Sequence, residues 1–160
     1  MSLIDRLASY AEHHRDKRNI ATHFVGIPML LVGTQAALAK FGIGPINAAA
    51  GATGLATRYY RALDPSYGTA MGVVLGASYA LGTAIAALPL PLWAGTAGSL
   101  LVGGWALQLV GHAFEGTKPA FLDDLRGLLD GPLFLIAEVA RRAGPTRWGK
   151  VAPTAPVAAA

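Results

Sequence analysis

Cysteine is absent from the 160 residues, which excludes disulfides, thiolate-held iron–sulfur clusters and a cysteine nucleophile. Charge is nearly as conspicuous by its scarcity. Only 14% of residues are Asp, Glu, Lys or Arg, against about 25% in an ordinary soluble domain. From Pro65 to Phe114 there is none at all, a run of 50 residues. Roughly 20 such residues cross a bilayer core, so this run holds two crossings and a turn. A soluble chain of this size has too little left over to cover two helices that are apolar all round. The phosphate-cradling glycine loop, the G-x-S-x-G elbow and the H-E-x-x-H zinc motif are also missing. The N-terminal stretch MSLIDRLASYAEHHRDKRN lacks a cationic start followed by an apolar run, so no signal peptide is expected.

What the sequence has is apolar helix. Four segments can be drawn, over about Asn19–Ala39, Phe41–Thr57, Gly68–Leu88 and Leu90–Gly111, the second being short and rich in Gly and Ala. Pro89 and Pro91 separate the last two, and Gly42, Gly44 and Pro45 punctuate the first connection. Gly72, Gly76 and Ala80 recur every four residues on one helical face, and Gly98, Val102 and Ala106 repeat that spacing, as close helix packing in lipid requires. The expected architecture is all-α: a polytopic membrane bundle of about four transmembrane helices, with interfacial amphipathic helices at both ends.

The formal charge is +4, but the basic residues flank apolar runs and form no stripe, so no nucleic-acid partner is expected. With four crossings, twelve of the thirteen Lys and Arg residues and all nine acidic ones fall on one side, leaving Lys40 opposite. The positive-inside rule then makes both termini cytoplasmic. The expected location is a bacterial inner membrane. Two crossings with a re-entrant first hairpin would also satisfy the pattern. Leu3, Leu7, Tyr10 and His14 share a face, which suits an amphipathic helix on the membrane surface. Phe121, Leu122, Leu125, Leu128 and Leu129 suggest a second apolar face. The run Pro132–Ala140 is too short to cross, and lies near the headgroups or against the bundle. Residues 1–143 read as one membrane domain, and 144–160 as a disordered Pro/Ala-rich tail.

Four histidines are present: His13, His14, His23 and His112. On this topology all lie near one interface. Imidazoles gathered at one depth suit Fe, Zn or Cu, and they equally suit interfacial decoration, proton transfer or substrate anchoring. Carboxylates accompany them: Glu115 follows His112 by three residues, and Glu138 interrupts an apolar run. Asn19 and His23, four apart, share a face. His14 and His23 are nine apart, on opposite sides of any continuous helix, so a common site demands a bend, for which the polar stretch RDKRN is suited. His14 rather than His13 continues the Leu3–Leu7–Tyr10 face.

The run YAEHHRDKRNIATHFVGIP contains H-x4-N-x3-H through His14, Asn19 and His23, and is followed later by QLVGHAFEGTKPAFL and PLFLIAEV. Together these resemble the Mpo1-like family, related to a yeast endoplasmic-reticulum protein, over about residues 1–143. The resemblance implies an Fe(II)-dependent dioxygenase of fatty-acid α-oxidation. Such an enzyme converts a long-chain 2-hydroxy fatty acid to the acid one carbon shorter, using O2. It implies that His14, His23 and His112 are essential and bind iron, with Asn19, Glu115 and Glu138 at motif positions. Asn19 and Glu115 are taken as catalytic residues, and Glu115 and Glu138 as further metal ligands. The partners implied are membrane lipid, O2 and the hydroxy acid, whose carboxylate would meet Arg18 or Arg58. The alternative is a non-catalytic membrane adaptor or lipid-binding protein.

Overall fold

The computed structural model describes residues 2–43, 46–122 and 124–144. The order is α1 (Leu3–Glu12), α2 (Lys17–Leu38), β1 (Gly42–Ile43), β2 (Ile46–Asn47), α3 (Ala48–Leu63), α4 (Pro65–Ala86), α5 (Leu90–Glu115), a 3-10 turn (Ala120–Leu122) and α6 (Gly127–Ala143). The fold is all-α. Among the described residues the β pairing is a two-residue antiparallel ladder, with Gly42 opposite Asn47. The chain forms two compact units, one of residues up to Val25 and from Ala106 onward, the other Gly26–Trp105. The tail beyond Gly144 lies outside the described residues.

Three helices, α2, α4 and α5, are long and apolar enough to cross a membrane. Their outward residues include Val73, Leu81, Leu92 and Val102, all exposed, as lipid-facing side chains are. The chain is therefore a polytopic membrane protein. The second expected segment differs from its forecast. Helix α3 begins at Ala48 and continues through Arg58 and Arg61 to Leu63. The ladder occupies residues immediately before it, and the Asn47 side chain caps its first turn by accepting from the Ala50 amide at 2.9 Å. At 16 residues α3 is about 24 Å long, short of a bilayer core of about 30 Å.

In the second unit, α3 and α4 form a hairpin around one residue. Asp64 donates its amide to Tyr60 O (3.1 Å), closing α3. Its carboxylate accepts from the Ser66 and Tyr67 amides at 2.9 and 3.1 Å, opening α4, and Pro65 stands in the first turn, where a missing N–H is harmless. Gly68 sits where a Cβ would collide with the Arg61 backbone, so only glycine allows this approach. The small-residue face is thus used differently from the spacing rule. Gly72 meets Thr57 and Gly82 meets Gln35 and Ala36, while Gly76 and Gly98 face nothing within 4 Å. Gly104 takes the corresponding place in α5, against Leu30 of α2. Trp93 donates its indole N–H to Ala36 O at 2.9 Å, and Lys40 stands over the Trp93 ring, 5.3 Å from its centroid.

In the first unit, Ser2 and Asp5 form a reciprocal capping box at α1. The Leu3–Leu7–Tyr10 face is buried, and α1 packs against α6. The expected surface helix therefore has a protein partner: Leu133, Phe134 and Ala137 of α6 are buried as well. Arg6 clamps the pair through a salt bridge to Asp130 at 2.7 Å. By contrast, Leu122, Leu125, Leu128 and Leu129 stay exposed.

Candidate metal centre

Helix α1 ends at Glu12 and α2 starts at Lys17, so the chain bends through residues 13–16. The bend overlaps the first residues of the polar stretch RDKRN; Lys17, Arg18 and Asn19 are already helical. It brings His14 back over the second turn of α2, which carries His23. His112 stands one turn before the end of α5. One ring nitrogen of each lies within 4.8 Å of the others, and all three residues are buried. The ring pairs meet edge-on, with centroids 4.6, 4.9 and 5.1 Å apart. His13 is outside the group, its Nδ1 3.3 Å from Ser9 O.

Hydrogen bonds fix two of the rings. His14 Nδ1 donates to Tyr10 O at 2.8 Å, and His23 Nδ1 donates to Asn19 O at 2.9 Å. A carbonyl can only accept, so in both neutral rings Nε2 carries the lone pair. Those two Nε2 atoms face each other at 3.1 Å. Burial first, and the neighbouring His23 second, push His14 down to a pKa of about 2. A cation bound between them would satisfy both lone pairs. Two nitrogens bound at about 2.1 Å to one ion, at a right angle, are about 3 Å apart. The Nδ1 of His112 is buried with no hydrogen-bond partner. The three imidazoles therefore fit a divalent transition metal.

The surroundings hold the rings in place. Tyr10 stacks on His14 at 4.1 Å and 9°, and Phe134 tilts against it at 5.6 Å. Burial pushes the Tyr10 phenol up, so it stays protonated. Glu115 does not join the ligand group. Its carboxylate accepts from the Arg15 and Asp16 amides, each at 2.8 Å, and from Asn19 Nδ2 at 2.9 Å. It thus ties the end of α5 to the bend that carries His14. Asn19 Nδ2 also donates to His13 O at 3.2 Å, and its Oδ1 is buried without a hydrogen-bond partner. Glu138 lies in α6 and pairs with Arg141 at 2.6 Å. Arg18 pairs with Asp16 at 2.7 Å and stands over the Phe114 ring at 4.6 Å. Arg58 belongs to the other unit.

Two residues escape a reading of spacing alone. Gly111 lies where a Cβ would strike Asn19 Oδ1 and Thr22 Oγ1 and come within 3.2 Å of His23 Nδ1. Gln108, one turn before His112, is buried with its Nε2 unpartnered. Its only sequence signal is an i, i+4 relation to His112 in an otherwise apolar helix.

An all-α membrane protein with a buried three-histidine metal site is the class that this fold and site define. The chain belongs to the family described as 2-hydroxy-palmitic acid dioxygenase Mpo1-like, whose pattern it matches over residues 1–143. No curated protein and no solved structure matches it. Family and site together support an iron-dependent oxidative enzyme.

Proposed function

We propose that the protein is an Fe(II)-dependent dioxygenase of fatty-acid α-oxidation. It takes a long-chain 2-hydroxy fatty acid and O2 and yields the fatty acid one carbon shorter, with loss of the carboxyl carbon. The observation that carries this reading is the pair of opposed Nε2 lone pairs of His14 and His23 beside His112, in a chain of this family. Iron(II), when bound, supplies a redox-active Lewis acid with positions left for O2 and for substrate oxygens.

The protein's own groups do the rest. His14, His23 and His112 hold the ion. The carbonyls of Tyr10 and Asn19 orient the first two rings, a role that outer partners of metal-bound histidines commonly fill. Asn19 and Glu115 position the bend. Glu138 serves α6 through Arg141 and is left out of the ligand set. The apolar rings of Tyr10 and Phe134 exclude water from one side of His14. The substrate's tail stays in the leaflet while its polar head reaches the ends of α2 and α5.

In this reading the short α3 and the residues before it together make the fourth crossing, both termini and the histidines are cytoplasmic, and the membrane is a bacterial inner membrane. The charge partition supports it. The test is anaerobic purification in detergent, metal analysis, and oxygen uptake with a panel of 2-hydroxy acids. Iron and uptake with 2-hydroxypalmitate are expected. Turnover by thoroughly chelated, metal-free protein would end the iron mechanism.

A further inference from the structure

Gln108 has an amide nitrogen that the fold leaves without a hydrogen-bond partner. The residue is 6% exposed, and its Nε2 is buried with no hydrogen-bond partner. A buried donor left unpaired is costly, so such groups in native proteins usually meet a ligand or a water. Its position is defined by its helix. His112 is one turn onward at i+4, and Gly111, three residues onward, is the point where α5 presses on Asn19 and His23. Residues three and four apart share a helical face. The amide therefore looks onto the same side of α5 as the metal-binding group, one turn further into the apolar run. The run that carries it, Pro65–Phe114, contains no charged residue.

We infer that Gln108 is a positioning residue for the substrate, its Nε2 donating a hydrogen bond to an oxygen of the acid's head group at the three-histidine site. This rests on the dioxygenase reading above. A side-chain amide suits the task because it offers hydrogen without charge. In a span where an ammonium or guanidinium would be expensive, the amide can face a carboxylate or hydroxyl oxygen and still be tolerated empty. The tail of the acid then continues along apolar helix, and its head is held from two sides, by the metal and by the amide.

The test is equilibrium binding of 2-hydroxypalmitate to the iron-loaded protein in detergent without oxygen, for wild type and Gln108→Met. Methionine keeps the length and flexibility of glutamine and removes the donor. Iron content and thermal unfolding are measured on the same samples. About a tenfold weaker Kd is expected for the variant, with iron content unchanged and unfolding temperature equal or higher, because an orphaned donor has been removed. Equal Kd values would overturn the inference and leave the dioxygenase reading standing. So would a variant that unfolds earlier or loses iron, which would make Gln108 a structural residue. Failure of the wild type itself to bind any 2-hydroxy acid would overturn both.

Discussion

His14 and His23 face one another through Nε2 atoms 3.1 Å apart, and in both rings the hydrogen is committed to a backbone carbonyl on the far side. Two acceptors in that arrangement repel until something positive lies between them. His14→Ala or His112→Ala is therefore expected to reduce bound iron from about one ion per chain to near zero, since the proposed site is built on these three imidazoles. Metal analysis of the purified variants checks this. An iron-replete His112→Ala protein that kept full oxygen uptake would remove that residue from the mechanism.

Glu115 makes a separable contribution. Its carboxylate caps the start of α2 from another helix, accepting two backbone amides and the Asn19 side chain. Loss of such a charged cap costs about 2 kcal/mol, and loss of an outer partner typically weakens metal binding about 10–100-fold. Glu115→Ala should therefore lower both the unfolding temperature and the iron affinity. Glu115→Gln, which retains one acceptor oxygen, should fall between. A Glu115→Ala protein with wild-type iron affinity would show that the bend holds His14 without help.

Gly111 and Gly98 form a matched pair for a packing experiment on α5. Added bulk at Gly111 strikes Asn19 and Thr22, while at Gly98 it meets nothing within 4 Å. Gly111→Ala should destabilise by about 1–3 kcal/mol and lower iron occupancy. Gly98→Ala should be near neutral on both counts. Thermal unfolding and metal analysis of the two variants side by side decide it.

The Arg6–Asp130 bridge gives a pH signature remote from the metal. Burial raises the Asp130 pKa, and Arg6 opposes that rise. In Arg6→Met the carboxylate loses its cation and its folded pKa climbs further above the unfolded value. The group then favours the folded state while protonated and opposes it as pH rises through the folded pKa. The variant should thus be destabilised by roughly 2–4 kcal/mol at neutral pH, with the deficit shrinking as the pH is lowered towards the unfolded value. A deficit independent of pH would mean that Arg6 acts by packing alone.

Much of this was legible in the chain itself. Long charge-free runs in α4 and α5 leave little alternative to membrane helices, because backbone polar groups in lipid must be satisfied within the segment. Pro89 falls at the break between those helices and Pro91 in the first turn of α5, where a missing amide N–H is harmless. The nine-residue separation of His14 and His23 already demanded a bend. The H-x4-N-x3-H run carried the family.

Other features were beyond reach because they depend on what stands opposite. That Glu115 would spend its oxygens on the Arg15 and Asp16 amides follows from the chain folding back on itself across a separation of 100 positions, and no local pattern encodes that. The extent of α3, the burial of α1 against α6 and the choice of Gly68 and Gly82 over Gly76 as contact points all depend on neighbouring helices. Composition and periodicity determined that there are apolar helices with histidines near their ends. Tertiary structure decided that three of those rings share one buried point, because only packing can aim side chains from separate helices at one place.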